Sequence, residues 1–182
     1  YVVSKITGFE EKENVIAVSI LPTNDSLGIN ILEANESVVS YSKQDYLDKI
    51  TALLAGRAVE TFKFERLGSG AESDIRYATL IARDLIVNRS LDFSLNNYNS
   101  DISPSFYDEK ENEILKLDEN TKVKINDEVA KILNDQFKVA KDLVDIFSDR
   151  IEAVAKALLS KYILTRDELD KIYSSKSHGS SK

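Results

Sequence analysis

Apolar residues recur at helical spacing through most of the chain, and this pattern limits the possible folds more than any other feature. Within residues 121–147 the apolar positions form one continuous stripe of Val129, Ile132, Leu133, Phe137, Ala140, Leu143, Val144 and Phe147. Residues three and four positions apart share one face of an α-helix, so this stripe predicts a long amphipathic helix packed on a core. The sequence therefore favours a mainly α fold.

Two more helices are predicted before this long one. The first runs from Ser42 to about Glu60, with Ser42 as N-cap and Asp45 at the spacing of a capping box. The second covers residues 71–88, after a glycine-containing loop at 64–70. Residues 90–116 give no readable pattern.

The C-terminal part predicts a helical hairpin and a last short helix. A new helix begins at 149 or 150, with Asp149 and Glu152 at capping-box spacing, and is expected to pack antiparallel to the long helix. Thr165 and Glu168 have the same spacing and open a helix that ends near Tyr173. The polar residues 174–182 are expected to form a disordered tail.

The N-terminal part predicts the only strands. The runs "VIAVSIL" at 15–21 and "LGINILE" at 27–33 have strand composition and are expected to pair antiparallel. Residues 1–7 are interpreted as the last turns of a helix that Gly8 ends. The predicted fold is thus a mainly α domain over 1–173, with a small N-terminal β-sheet and a C-terminal helical hairpin.

Composition excludes several functions. A net charge of -7 argues against a nucleic-acid partner, because no basic stripe is available to neutralise phosphates. No apolar run is as long as the roughly 18 residues that a membrane span requires. The chain has no Cys, which excludes thiolate metal ligands, and its one histidine is His178.

Asp74 departs from the apolar periodicity of its helix. At 100° per residue, Asp74 projects toward the same face as Ala78, Ile81 and Leu85, at the centre of the predicted buried stripe. A buried carboxylate needs an arginine, backbone amides or a metal ion as its partner. Alternatively, Asp74 is an ordinary acid in a first helical turn, where the helix macrodipole favours negative charge.

Two segments carry a resemblance to a known family. The segments "AGRAVETFKF" at 55–64 and "SGAESDIRYATLIAR" at 69–83 resemble parts of the peptidase domain of the FtsH family. Members of that family are membrane-anchored, ATP-dependent zinc metalloproteases of the AAA+ class. "VSILP" at 18–22 and "LVDIFSDRIEAVAKALLSKYILTRDELDKI" at 143–172 are similar to further parts of that domain.

The resemblance implies a zinc role for Asp74. The family holds one zinc ion with the two histidines of an HExxH helix and with an aspartate at this motif position. Asp74 would be that third protein ligand, whereas no catalytic residue would lie within residues 1–182. HExxH does not occur in residues 1–182, and spacing places it at or just before Tyr1.

The resemblance also implies partners. An edge strand formed by Gly28, Ile29, Asn30 and Ile31 would bind the backbone of polypeptide substrates. ATP would be used by a separate domain, and the full-length protein would be a homo-hexamer, with Gly56 and Ala58 as possible ring contacts. It would be anchored in the membrane with the peptidase domain on the cytoplasmic side, whereas residues 1–182 alone would be soluble.

Two other functions stay open at this point. The chain could be a non-catalytic relative that lost HExxH and serves assembly or scaffolding. It could also be an unrelated helical interaction domain with the 121–147 helix as its partner surface. In that case Asp74 should pair with an arginine or cap backbone amides.

Overall fold

The computed structural model describes residues 1–9, 12–22, 28–33, 40–64, 68–87 and 119–175. Helices dominate this part of the chain, and a small sheet joins its two ends, which confirms the predicted class. The unreadable stretch 90–116 and most of the predicted tail lie outside the described residues. The elements, in chain order, are α1 (Val2–Thr7), β1 (Asn14–Ser19), β2 (Ile29–Glu33), α2 (Lys43–Lys63), α3 (Glu72–Val87), α4 (Glu119–Ile146), α5 (Ser148–Lys161), β3 (Ile163–Thr165) and α6 (Arg166–Ser175).

Several helix ends follow the local chemistry. Gly8 ends α1 with a φ of 77°, a left-handed conformation that glycine adopts without a Cβ penalty. At the start of α2 the predicted capping box is present, because Ser42 Oγ accepts from the Asp45 N–H at 3.2 Å and Asp45 Oδ2 accepts from the Ser42 N–H at 2.7 Å. Glu168 accepts from the Thr165 N–H at 3.0 Å, which forms one half of the box predicted before α6.

The capping box predicted from Asp149 and Glu152 is wrong. Helix α5 begins at Ser148, directly after Phe147, and Phe147 provides no side-chain cap. Asp149 therefore lies inside the first turn, where its charge faces the positive end of the helix. The last helix is also longer than predicted, because α6 continues to Ser175.

The sheet has β1 at its centre, in the order β2–β1–β3, and both pairings are antiparallel. Ser19 lies opposite Ile29 of β2 on one side and Ile163 of β3 on the other. The predicted pairing of the two N-terminal strands is confirmed. Strand β3 is a third member that the sequence analysis missed, since three residues are too few to display a period of two.

Two clusters of buried side chains hold these elements together. The first lies between α2, α3 and α4, and the second between α5, α6 and β3. Helix α1 contributes Val3 to the first cluster and Val2 to the second, so it lies at their junction. In the C-terminal part, α5 packs mainly against α6. The sequence had instead predicted that α5 packs antiparallel to the long helix α4. None of the described helices is long and apolar enough to cross a membrane.

Candidate metal centre

Asp74 lies in the first turn of α3, after a short 3-10 turn at Ser69–Ala71. The buried face of this helix begins at Ala78, one turn further on, and continues through Ile81, Ala82 and Leu85. The helical projection predicted Asp74 at the centre of the buried stripe. In the structure Asp74 is half-buried and precedes the fully buried residues of that face.

The carboxylate of Asp74 has no hydrogen-bond or ion-pair partner among the described residues. Partial burial raises the pKa of this carboxyl above its ordinary value, because desolvation disfavours the charged form. The N-terminal end of α3 opposes that effect, since its free N–H groups attract negative charge. Asp74 is thus a half-buried carboxyl group held on α3 without a protein partner among the described residues.

Helix α1 packs on the same core as the helix that carries Asp74. Val3 belongs to the cluster that contains Ala78 and Ile81 of α3. Lys49 of α2 strengthens this arrangement, because its ammonium group pairs with Glu13 and lies 5.3 Å from the ring centroid of Tyr77. The segment that follows α1 and the first half of α3 are therefore both fastened to α2.

The described residues contain no group of three or more His, Cys, Asp or Glu side chains that could hold a metal ion together. His178, the one histidine of the chain, lies outside them. Asp74 can therefore supply one ligand of a metal site, and the described residues do not supply the others. An oxygen ligand of this kind fits zinc, which accepts Asp alongside His.

The strand predicted to bind substrate is an edge strand among the described residues. Strand β2 pairs with β1 on one side, and its side chains are exposed, including Ile29 at 45% and Ile31 at 37%. Gly28 precedes β2 and approaches β1 closely, since a Cβ at this position would lie 2.9 Å from the carbonyl oxygen of Ser19. Only glycine allows the strand to enter the sheet along this path.

The two small residues considered for ring contacts have different environments. Gly56 is exposed on α2, and a Cβ there would meet nothing within 4 Å. Ala58 has no exposed surface and lies inside the first cluster. The suggestion that Ala58 contacts another subunit is therefore wrong, because a residue in the core of its own chain is unavailable to a partner.

The sequence is similar to known proteins along nearly its whole length. The model of peptidase family M41 matches residues 3–172. An ATP-dependent zinc metalloprotease FtsH of Thermotoga maritima is 30% identical, over 89% of this chain and 27% of that protein. FtsH 2 of Phytoplasma mali is 30% identical over 89% of this chain and 22% of its own length, and FtsH of Thermus thermophilus is 28% identical over 90% and 26%.

The matched fraction of each relative shows how much of such a protein the chain corresponds to. The chain spans about a quarter of the length of the curated relatives that it matches. The match to the family model covers the helix with Asp74, both described edge strands and the packed C-terminal helices. The chain therefore belongs to peptidase family M41 and is a peptidase domain of the FtsH family.

Proposed function

We propose that this chain is part of the peptidase module of an ATP-dependent zinc endopeptidase, and that Asp74 is the third protein ligand of its zinc ion. The observation that carries the proposal is the half-buried carboxylate of Asp74, which has no partner among the described residues. It belongs to a chain that matches peptidase family M41 over residues 3–172. A desolvated acid without a protein partner is costly unless a cation binds there.

The remaining ligands are proposed to be the two histidines of an HExxH motif at or just before Tyr1, as the family resemblance implies. Zinc held in such a site acts as a Lewis acid and makes water a nucleophile near neutral pH. Asp74 contributes a negatively charged oxygen whose position is set by α3 and its packed face. Partial burial raises the pKa of Asp74 above its ordinary value, and a bound metal ion would favour the ionised carboxylate.

In the full-length protein, we propose, this module degrades unfolded or membrane-extracted polypeptides. The names of the relatives support an ATP-dependent zinc metalloprotease. ATP use would belong to a separate domain, membrane anchoring to segments outside residues 1–182, and assembly to a homo-hexamer. The peptidase domain would lie on the cytoplasmic side of the membrane.

A non-catalytic relative with the same fold is the second candidate. It requires that HExxH is also absent from the residues encoded before Tyr1. A scaffold would not need Asp74 to stay free of protein partners, so the first candidate accounts better for this residue. The third possibility, an unrelated helical interaction domain, is wrong because the chain belongs to family M41.

The test of the zinc assignment is Asp74→Ala in the full-length protein, with Glu72→Ala as its matched control. Glu72 is an exposed acid in the same helical turn. We expect Asp74→Ala to lose stoichiometric zinc, measured by metal analysis after dialysis, and to lose casein cleavage. Glu72→Ala should retain both. Equal zinc content in the two variants contradicts the assignment, and a zinc-free wild-type protein favours the scaffold.

The edge strand has its own role in the proposal, since Gly28, Ile29, Asn30 and Ile31 are proposed to pair with the substrate backbone. Backbone pairing is tolerant of sequence, which suits a protease of unfolded chains. Gly28→Ala should push β2 away from Ser19 and lower kcat/KM for casein several-fold while zinc content is kept. Ser160→Ala, at an exposed position of α5, is the control. Equal kcat/KM values for the two variants would exclude the strand from substrate binding.

A further inference from the structure

We propose that Asp170 of α6 is a positioning residue that fixes the first turn of α1 and, through that turn, the histidine-bearing segment expected before Tyr1. This inference rests on the proposed function, because it assigns Asp170 a task only if a metal site lies at that end of α1. The carboxylate of Asp170 accepts hydrogen bonds from Tyr1 and Lys5, which are far from it in the sequence, and forms an ion pair with Arg166 on its own helix.

Two side chains at the start of α1, that of its N-cap Tyr1 and that of Lys5, converge on one oxygen of Asp170. The Tyr1 hydroxyl donates to Asp170 Oδ1 at 2.6 Å, and Lys5 Nζ donates to the same atom at 2.5 Å. Arg166, one turn earlier on α6, places its Nε 3.7 Å from the other carboxylate oxygen. Because Tyr1 and Lys5 are four residues apart on a helix, they present one face of α1 to Asp170.

Aromatic and apolar contacts surround this cluster. Lys5 Nζ lies 5.8 Å from the ring centroid of Tyr1 and 5.5 Å from that of Tyr173. Beneath the polar contacts, Val2 of α1 and Leu169 of α6 are buried in the same cluster. The first turn of α1 is thus held by an apolar contact and by charge-assisted hydrogen bonds, which are stronger and more directional than neutral ones.

The electrostatic environment of Asp170 favours its ionised form. Burial alone would raise the pKa of this carboxyl, but the hydrogen bonds from Lys5 and Tyr1 outweigh it and hold the pKa below its usual value. Asp170 therefore stays charged at neutral pH and keeps its donors. This differs from Asp74, whose carboxylate has no such donors among the described residues.

The consequence for a metal site is geometric. A helix is stiff over one turn, so the face presented by Tyr1 and Lys5 sets the direction in which the preceding turn projects its side chains. Groups that hold metal-binding histidines in place change metal affinity by about 10- to 100-fold when they are removed. Asp170 is expected to act in this way without touching the metal.

The experiment compares Asp170→Asn with Asp167→Asn in the full-length protein. Asp167 is an exposed acid in the first turn of the same helix. Two quantities are measured: the zinc dissociation constant by competition with a chromophoric chelator, and amide hydrogen exchange of residues 2–7. We expect Asp170→Asn to weaken zinc binding about tenfold or more and to speed exchange in α1, while Asp167→Asn changes neither.

The outcomes separate this inference from the proposed function. A wild-type protein that binds zinc, together with Asp170→Asn of equal affinity, overturns the positioning role alone. Unchanged exchange in α1 overturns it as well. A wild-type protein that binds no zinc overturns the proposed function and the inference with it. If Asp170→Asn does not fold, Tyr1→Phe is used instead, because it removes one hydrogen-bond donor to Asp170. A Tyr1→Phe variant that binds zinc as tightly as the wild type then contradicts the inference.

Discussion

Among single residues, Lys49 of α2 contacts both the segment that follows α1 and helix α3, although it lies on a polar helix face. Its ammonium group pairs with Glu13 and lies 5.8 Å from the ring centroid of Phe9 and 5.3 Å from that of Tyr77. Burial would lower the pKa of Lys49, but the hydrogen bond and charge of Glu13 outweigh it and raise the pKa above its usual value. The ion pair therefore favours the folded state.

Replacing Lys49 tests this contribution. Lys49→Met removes a partly buried charged hydrogen bond and leaves Glu13 without it, so we expect the free energy of unfolding to fall by about 1.5–3 kcal/mol. Because the folded pKa is raised, the contribution is fully present below the pKa of the unfolded chain and is lost as pH rises through the folded value. Urea unfolding from pH 7 to above 10.5 measures the difference between wild type and variant.

The control for this prediction is Lys124→Met, because Lys124 is exposed on α4. Its effect should stay within about 0.5 kcal/mol at every pH. A Lys49→Met variant as stable as Lys124→Met would contradict the assigned role.

Residue-scale chemistry was only partly readable from the sequence. The helical projection singled out Asp74 because one acid interrupted an apolar period, and the structure places it at the start of that face. Lys49, Glu13 and Asp170 carried no such signal. Their partners are remote in sequence, and a charged residue on a polar helix face looks the same whether it is solvated or paired.

At the scale of elements, local rules succeeded where the signal was long or chemically specific. Helices α2, α3 and α4 follow from their apolar spacing, and the Ser42 capping box is formed as predicted. Strand β3 was missed because its pairing with β1 decides its conformation, and three residues carry no period. The capping box at Asp149 failed because α5 starts immediately after α4 and leaves no room for a separate cap.

The α2 cap provides an element-scale prediction. Ser42→Ala removes the side-chain acceptor of the Asp45 N–H and should lower the free energy of unfolding by about 0.5–2 kcal/mol. Ser160→Ala, at an exposed position inside α5, should have no destabilising effect, since Ala is the better helix former. Thermal unfolding followed by circular dichroism compares them, and equal midpoints would show that the cap contributes nothing.

For the whole molecule, α1 is the element that joins the two buried clusters. Val3 packs with the α2–α3–α4 cluster and Val2 with the α5–α6–β3 cluster, while Ile151 contacts both. This junction was not predictable, because a short apolar segment is compatible with many positions in a fold. The family resemblance supplied the overall arrangement that periodicity alone left open.

The junction predicts cooperative unfolding of the two clusters. Ile50→Ala in the first and Leu169→Ala in the second should each lower the free energy of unfolding by about 2–5 kcal/mol, because both side chains are fully buried. Both variants should shift one common transition, measured by urea unfolding with tyrosine fluorescence. Leu159→Ala, with its side chain 71% exposed, is the control. Two separate transitions would show that α1 does not couple the clusters.

The central position of β1 has a consequence for how the protein is made. During translation β1 and β2 leave the ribosome one after the other and can pair as neighbours, whereas β3 is synthesised after α5. Until then one edge of β1 lacks its native partner, and an open edge can pair with another nascent chain. The sheet is thus begun by β1 and β2 and closed by β3 only after α2 to α5 have been synthesised.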